Sequence, residues 1–493
     1  MGVREVWEGS CVAIVAQMSL WGAIISSEKT EGVTALFSRL SSLLRWAASI
    51  TAATIALSAS ALAETRSVTF DPIASHAPRF EPPIIGVNVY YGPSRVLGYI
   101  NPDTGLRQLH DLGATSTRDY LIWQSFKFPP AGGVVLAGAG RMMRFLPKSD
   151  LQPLINLGHT NTLTVPGGVP PLTDEGLRYF GAYLRKAVEI TAPFNPIYEI
   201  WNEWNMTIGF GAREKTLDGA GPPDDPRAAV HYVRVAKFAV QTIKAKMPNA
   251  RILVGTVGDD ANWEWAQAVV RGGVLDNALG LSVHLYNQCR AEPSKRTAAE
   301  MIERVEDLQA KLKTIRGGVE TPIYITEYGW PTSNGNCGMP YDLTAYNFAQ
   351  FILQSATIPW IKGIWIHALK NISPDPVDRE SNYGLFTYAD KPKMAVCFVR
   401  TATDLVKSAD AIEVRQPLKD VFVARITSGT SQKIVLWTSY EQRKATFTLP
   451  FGTPTGTMMC GDNNVATQNV ALGPAPIMYD VDAAKPFSID ITD

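Results

Sequence analysis

The chain has 493 residues, and 46 Lys and Arg against 46 Asp and Glu leave a formal net charge of zero. That balance gives no electrostatic reason to bind nucleic acid or an anionic membrane. With 46% hydrophobic and 19% charged residues, the chain is too apolar for a disordered or fibrous protein. No Cys-x-x-Cys or His/Cys cluster occurs, which excludes a structural zinc module.

The first 63 residues read as a leader. Arg39 and Arg45 precede an uncharged run from Trp46 that closes on Ala61-Leu62-Ala63 before Glu64. This is the order of a secretory signal peptide, so the protein is expected to be exported, to the periplasm or the cell exterior. The run is short and weakly apolar for a span of about 20 residues. Membrane contact is therefore expected only if the leader is retained as an anchor. Residues 1–38 fit either a translation start further down, near Val33, or an additional hydrophobic segment. Outside the leader, Cys289, Cys337, Cys397 and Cys460 form an even set, which an oxidising compartment permits to pair in any of three ways.

Residues 64–83 are Pro-rich and read as a linker able to lend a strand to a later domain. From Ile84 onward, eight short β-branched or apolar runs follow: IIGVNVY, STRDY, QPLINL, IYEIW, RILVGTV, LSVHLY, IYITEY and GIWIHAL. Amphipathic stretches lie between them, such as Leu172–Ile190, Ala228–Met247, Thr297–Ile315 and Tyr341–Ala356. Their apolar residues recur at i, i+3 and i+4, the mark of a helix with one buried face. Strand and helix in alternation predict a parallel sheet. Eight units across 84–408 fit a (β/α)8 TIM barrel, and no Gly-x-Gly-x-x-Gly follows the first strand to suggest a dinucleotide fold. Residues 409–493 change character: DVFVARIT, KIVLWTS, ATFTLPF and APIMYDVD alternate in a period of two without helices between, predicting a small C-terminal antiparallel β-sandwich domain.

In such a barrel, chemistry sits at the C-terminal ends of the strands. The fourth run ends in Trp201-Asn202-Glu203-Trp204-Asn205 and the seventh in Thr326-Glu327-Tyr328-Gly329-Trp330. A carboxylate at a partly desolvated strand end is costly unless it is paired or used. Two such Glu residues facing one cavity are what glycoside hydrolysis needs, one protonated to serve the leaving oxygen and one ionised to attack. Their spacing does not assign the two roles. Other acids compete less well: Glu199 lies inside the fourth run, Glu264 opens a helix where acids are favoured, and Asp259-Asp260 lack further oxygen ligands for a cation. No metal and no cofactor are expected.

Asn202-Glu203 after the fourth strand and Glu327 after the seventh resemble clan A of the retaining glycoside hydrolases. Arg118 on the second strand, His284-Leu285-Tyr286 on the sixth and Trp365 on the eighth extend the resemblance over the whole barrel. Trp-Asn-Glu-Trp-Asn and the C-terminal β-domain narrow it to family 39, in its bacterial exopolysaccharide glycosidase type. The resemblance implies that Glu203 is the acid/base and Glu327 the nucleophile. Asn202 would then hydrogen-bond the sugar 2-hydroxyl, Tyr286 would donate to Glu327, and Arg118 would lower the Glu327 pKa. Trp365 would form an apolar platform beneath the sugar, and His159 and His284 would bind hydroxyls or fix neighbouring side chains. Simple alternatives are an Arg118–Asp119 ion pair, core histidines, and Trp365 as barrel filling. A bridge between Cys289 and Cys337, which follow the sixth and seventh strands, is one of the open pairings. The expected partner is an oligo- or polysaccharide, the resemblance implying an exopolysaccharide cut internally by double displacement. A non-hydrolytic polysaccharide-binding protein on a degenerate barrel, or a transglycosylase, would use the same scaffold.

Overall fold

The computed structural model describes residues 65–70, 80–93, 99, 101–206, 225–448, 456–461, 464–465, 470–482 and 487–492. The segment expected to be a leader with a signal peptide lies outside the described residues. No helix among the described residues is long and apolar enough to cross a membrane.

Eight parallel strands, β1 (Ile84–Asn88), β2 (Ser116–Tyr120), β3 (Gln152–Leu157), β4 (Ile197–Ile200), β5 (Arg251–Val257), β6 (Gly280–Leu285), β7 (Ile323–Tyr328) and β8 (Ile361–Ile366), close into a barrel. They pair in chain order, and β8 returns to β1 with Trp365 opposite Gly86. A helix follows each strand: α1 (Pro102–Asp111), the short α2 (Met142–Phe145), α3 (Asp174–Thr191), α4 (Ala229–Lys246), α5 (Glu264–Arg271), α6 (Ala298–Ile315), α7 (Tyr341–Ala356) and α8 (Ala395–Ser408). Their starts are written in the sequence. Asn101 caps α1 by accepting from the Asp103 and Thr104 amides ahead of Pro102, and Thr173 and Thr297 cap α3 and α6.

Alternation sorts each strand's side chains. Ile85, Val87, Ile155, Leu157, Tyr198, Ile200, Leu281, Val283, Ile364 and Ile366 face the helices in the main core. The opposite parity points into the barrel. At its N-terminal end Leu154, Ile197, Leu253, Tyr324 and Trp365 form a separate apolar plug. The Trp365 indole lies so close over Gly86 and Gly363 that a Cβ there would come within 2.1 and 2.5 Å of ring atoms.

Residues 411–492 form two antiparallel sheets. Thr65–Phe70, in the segment read as a linker able to lend a strand, is an edge strand of one of them, paired with Phe487–Thr492. Val421 and Val423 face the second sheet, whereas Phe422, Ala424 and Ile426 on the same strand join the barrel's core. Both faces of that strand are covered, which is why its sequence is nearly continuous in apolar residues. The Gln350 amide on α7 donates to the Thr438 and Pro474 carbonyls, and the Cys397–Cys460 disulfide ties α8 to the β-domain. The β-domain thus braces the outside of the barrel.

Candidate active site

Above the apolar plug, the inward positions turn polar. Arg118 on β2 is fully buried, and its guanidinium reaches four strands. Nε donates to Glu199 at 2.7 Å; Nη1 to Asn88 at 2.8 Å, Tyr120 at 2.7 Å and Glu327 at 2.6 Å; Nη2 to Asn202 Oδ1 at 2.9 Å. Asp119, the alternative ion-pair partner, faces away and accepts the Tyr91, Gly92 and Tyr120 amides instead. Glu199 also accepts from Asn156 at 2.9 Å, and the buried cation itself meets two carboxylates, two side-chain amide oxygens and one hydroxyl.

Glu327 owes its direction to a β-bulge. Ile325 pairs with Val283 and Glu327 with the next residue, His284, which leaves Thr326 as the extra residue. Without it Glu327 would share the outward face of Ile323 and Ile325. Glu327 Oε1 accepts from Arg118 and from the Tyr120 hydroxyl at 2.7 Å, and Oε2 accepts from the Tyr286 hydroxyl at 2.7 Å. Burial alone would push this carboxyl up. His284, Arg118 and His367, with the Tyr120 hydrogen bond, outweigh it and hold Glu327 well below the usual carboxylate range. Burial keeps the Tyr286 and Tyr120 hydroxyls protonated, and therefore donors.

Glu203 is placed by strain. After β4 the backbone enters the left-handed region at Trp201 (φ 69°) and again at Glu203 (φ 42°), while the Glu203 amide donates to the Thr256 carbonyl at 3.0 Å. Such conformations in non-glycine residues cost of order 1–3 kcal/mol and gather at functional sites. Glu203 Oε1 lies 2.7 Å from His284 Nδ1, and a carboxylate oxygen of Glu203 and one of Glu327 lie within 4.8 Å of each other. For His284, burial lowers the pKa, but the charges of Glu327 and Glu203 reverse this and raise it above 6.5. Glu203, His284 and Glu327 are close enough to hold a cation, yet Arg118 already sits 2.6 Å from Glu327 and meets that need for positive charge.

The carboxylate pair opens on a cavity of about 870 Å³ lined by Tyr90, Tyr120, Asn202, Tyr286, His367 and Tyr383, with Gln288, Arg290 and Arg379 further out. Gln288 donates to the Tyr383 hydroxyl at 2.7 Å. The Cys289–Cys337 disulfide joins the loops after β6 and β7 in this wall.

Arg118, Asn202, Glu203, His284, Tyr286 and Glu327 therefore meet in one network. Two expected residues do not join it. Trp365 is fully buried and donates Nε1 to Ser116 at 3.0 Å in the apolar plug; it fills the barrel and is no sugar platform. The residue of the same parity one layer higher, His367, faces the cavity from the eighth strand's end. His159 sits edge-on against Tyr120 with centroids 5.7 Å apart and does not line the cavity, and burial pushes its pKa down to about 4. Tyr120 and His367 are the residues that sequence reasoning missed. Both lie in strand runs singled out for another residue, and a count of two from Arg118 or Trp365 reaches each.

No family model and no curated protein sequence matches the chain. Solved structures do. A family 39 glycoside hydrolase from the gut symbiont Bacteroides cellulosilyticus WH2 superposes with a TM-score of 0.60 at 17% identity, over 81% of each chain. A GH39 enzyme from Xanthomonas axonopodis pv. citri gives 0.53 at 11% identity, over 84% of this chain and 96% of that one. A 4-O-α-L-rhamnosyl-β-D-glucuronidase from Fusarium oxysporum 12S gives 0.53 at 13%, over 86% and 99%. The chain shares the (β/α)8 fold of these glycoside hydrolases. The likeness is one of fold, and the reading of the chemistry rests on the residues above.

Proposed function

We propose that the protein is a retaining β-glycosidase that hydrolyses O-glycosidic bonds of a polysaccharide by double displacement. The observation that carries this is the unequal carboxylate pair at the ends of β4 and β7. Oxygens within 4.8 Å suit the roughly 5–5.5 Å carboxyl separation of retaining enzymes rather than the roughly 6.5–9.5 Å of inverting ones.

Glu327 stays ionised and attacks the anomeric carbon, forming a covalent glycosyl-enzyme. Glu203, which shares a short hydrogen bond with His284, delivers the proton to the departing oxygen and later takes one from water. Asn202 has Oδ1 fixed by Arg118, which leaves its NH2 for the sugar 2-hydroxyl in the cavity it lines. Tyr90, Tyr286 and Tyr383 supply ring surface for sugar C–H faces. The substrate class is a bacterial exopolysaccharide cut internally, a reading that rests on the family 39 resemblance and the size of the cavity. Export is supported by the two disulfides, Cys289–Cys337 and Cys397–Cys460.

The test is reducing-end release from a panel of bacterial exopolysaccharides and plant β-glycans. Wild type should act on at least one, Glu203→Gln and Glu327→Gln on none, and azide should partly rescue Glu203→Ala on an activated aryl glycoside. A wild type that binds a glycan yet releases nothing across the panel would replace this reading with a non-hydrolytic binding protein.

A further inference from the structure

Tyr90, His367, Glu380 and Tyr383 form one wall of the catalytic cavity. The same four residues line a second cavity of about 110 Å³, which also reaches Lys370. Lys370 in turn lines a third cavity, of about 170 Å³, between α1 and the loop after β8. Three cavities thus follow one another with shared walls, away from Glu203 and Glu327.

The third cavity combines an aromatic face with paired charges. Tyr388 is 39% exposed there, although large aromatic side chains are mostly covered among the described residues. Lys370 Nζ lies 5.7 Å from the centre of the Tyr388 ring and 2.7 Å from Asp390 Oδ1. Gln108 Nε2 donates to the same Asp390 oxygen at 3.1 Å. Gln108 is only 6% exposed, yet its Oε1 has no hydrogen-bond partner, an unmet acceptor in the cavity wall. Asn101 and Thr104, at the start of α1, add further polar groups to the lining. At about 170 Å³ the space is below that of drug-sized ligand pockets, about 300–1,000 Å³, and suits a single sugar unit.

We propose that this third cavity is a distal sugar-binding subsite, in which a neutral sugar of the substrate chain stacks on Tyr388 and bonds through its hydroxyls to Lys370 and Asp390. The proposal rests on the glycosidase reading and extends it: the enzyme engages a chain several sugars long. Neighbouring hydroxyls of one ring match the adjacent ammonium and carboxylate, donor facing acceptor. The matched charges leave no surplus to select a charged sugar.

The test uses the catalytically silent Glu327→Gln protein on an array of β-linked oligosaccharides graded in length, followed by titration of the glycans retained. Affinity should rise with length, and adding Tyr388→Ala should weaken the longer glycans at least tenfold while the shorter ones bind as before. Tyr388→Phe, which keeps the ring, should restore the longer ones. If the length gain survives Tyr388→Ala, the subsite is overturned and the glycosidase reading stands. If short and long glycans weaken together, the loss is structural and the subsite is again overturned. If the Glu327→Gln protein retains no glycan of any length, the glycosidase reading falls and the subsite with it.

Discussion

At the N-terminal end of the barrel the inward side chains are Leu154, Ile197, Leu253, Tyr324 and Trp365, packed without a charge among them. One layer higher they include Asn88, Arg118, Asn156, Glu199 and His284, all buried and polar or charged. Two strands, β3 and β4, supply both layers, Leu154 and Asn156 from one and Ile197 and Glu199 from the other. Trp365 and Arg118 are equally enclosed, yet one packs in the apolar plug and the other helps to hold Glu327 ionised. Burial therefore does not separate filling from chemistry here; what the buried atoms bond to does.

The largest effect is expected at Arg118. Removing it with Arg118→Met leaves Glu199 and Glu327 buried beside each other without their shared cation. Loss of one partner from a buried ionic group costs about 3–5 kcal/mol. The folded remainder should lose on the order of 10²–10³ in kcat, as when a preorganised electrostatic donor is removed. Glycosidase assays and denaturant unfolding on one preparation measure both. A variant with full activity would show that Arg118 belongs with the plug.

Trp365→Ala opens a void in the apolar plug. It should cost about 3–5 kcal/mol of stability, the usual range for truncating a buried Trp. Specific activity per folded molecule should change less than twofold, because no cavity atom moves with the indole. A sugar platform would behave in the reverse way, raising KM with little change in unfolding midpoint.

A smaller effect comes from His159, which packs behind Tyr120. Its pKa of about 4 in the fold lies below the ordinary 6.5, so the folded chain holds it neutral while the unfolded chain takes up a proton. The stability it contributes is present above pH 6.5 and falls as pH drops from there toward 4, by at most about 3 kcal/mol. His159→Gln should flatten the decline in unfolding free energy over that window. An unchanged slope would mean that another group titrates there.

Much of this was legible in the sequence because alternation and amphipathic spacing are local. The STRDY, QPLINL, RILVGTV and IYITEY runs coincide with β2, β3, β5 and β7 end to end, and Thr297 announces α6 as its cap. The two Glu residues stood out for the same reason, as charges at the ends of apolar strands. Less legible was anything set by a break in the period. The bulge at Thr326 turns Glu327 inward, and nothing in IYITEY marks it. Trp365 and His367 share a parity, so sequence could place both inside the barrel but not decide which layer each fills. The Thr65–Phe70 strand pairs with residues more than 400 positions away, and local pattern carries no trace of such a partner.

The finest difference within the polar layer is between the two oxygens of Glu327. Oε1 has two donors, Arg118 and Tyr120, whereas Oε2 has one, Tyr286. In the proposed double displacement Oε2, with one hydrogen-bond donor and the His284 and His367 nitrogens 3.7 and 3.6 Å away, is the oxygen assigned to attack, and the Oε1 donors would stabilise the carboxylate when it leaves the sugar again. Tyr120→Phe removes one of them. The carboxylate becomes more basic but remains ionised near neutrality, since it starts well below the usual range. Formation of the glycosyl-enzyme should then be little changed, and its hydrolysis, in which Glu327 departs, should slow about tenfold, equivalent to ~1.4 kcal/mol. On an aryl glycoside with a good leaving group, kcat should fall while kcat/KM holds and a pre-steady-state burst grows. An equal fall in both constants would mean that Tyr120 acts before the first bond breaks, and would assign the attacking role to Oε1 instead.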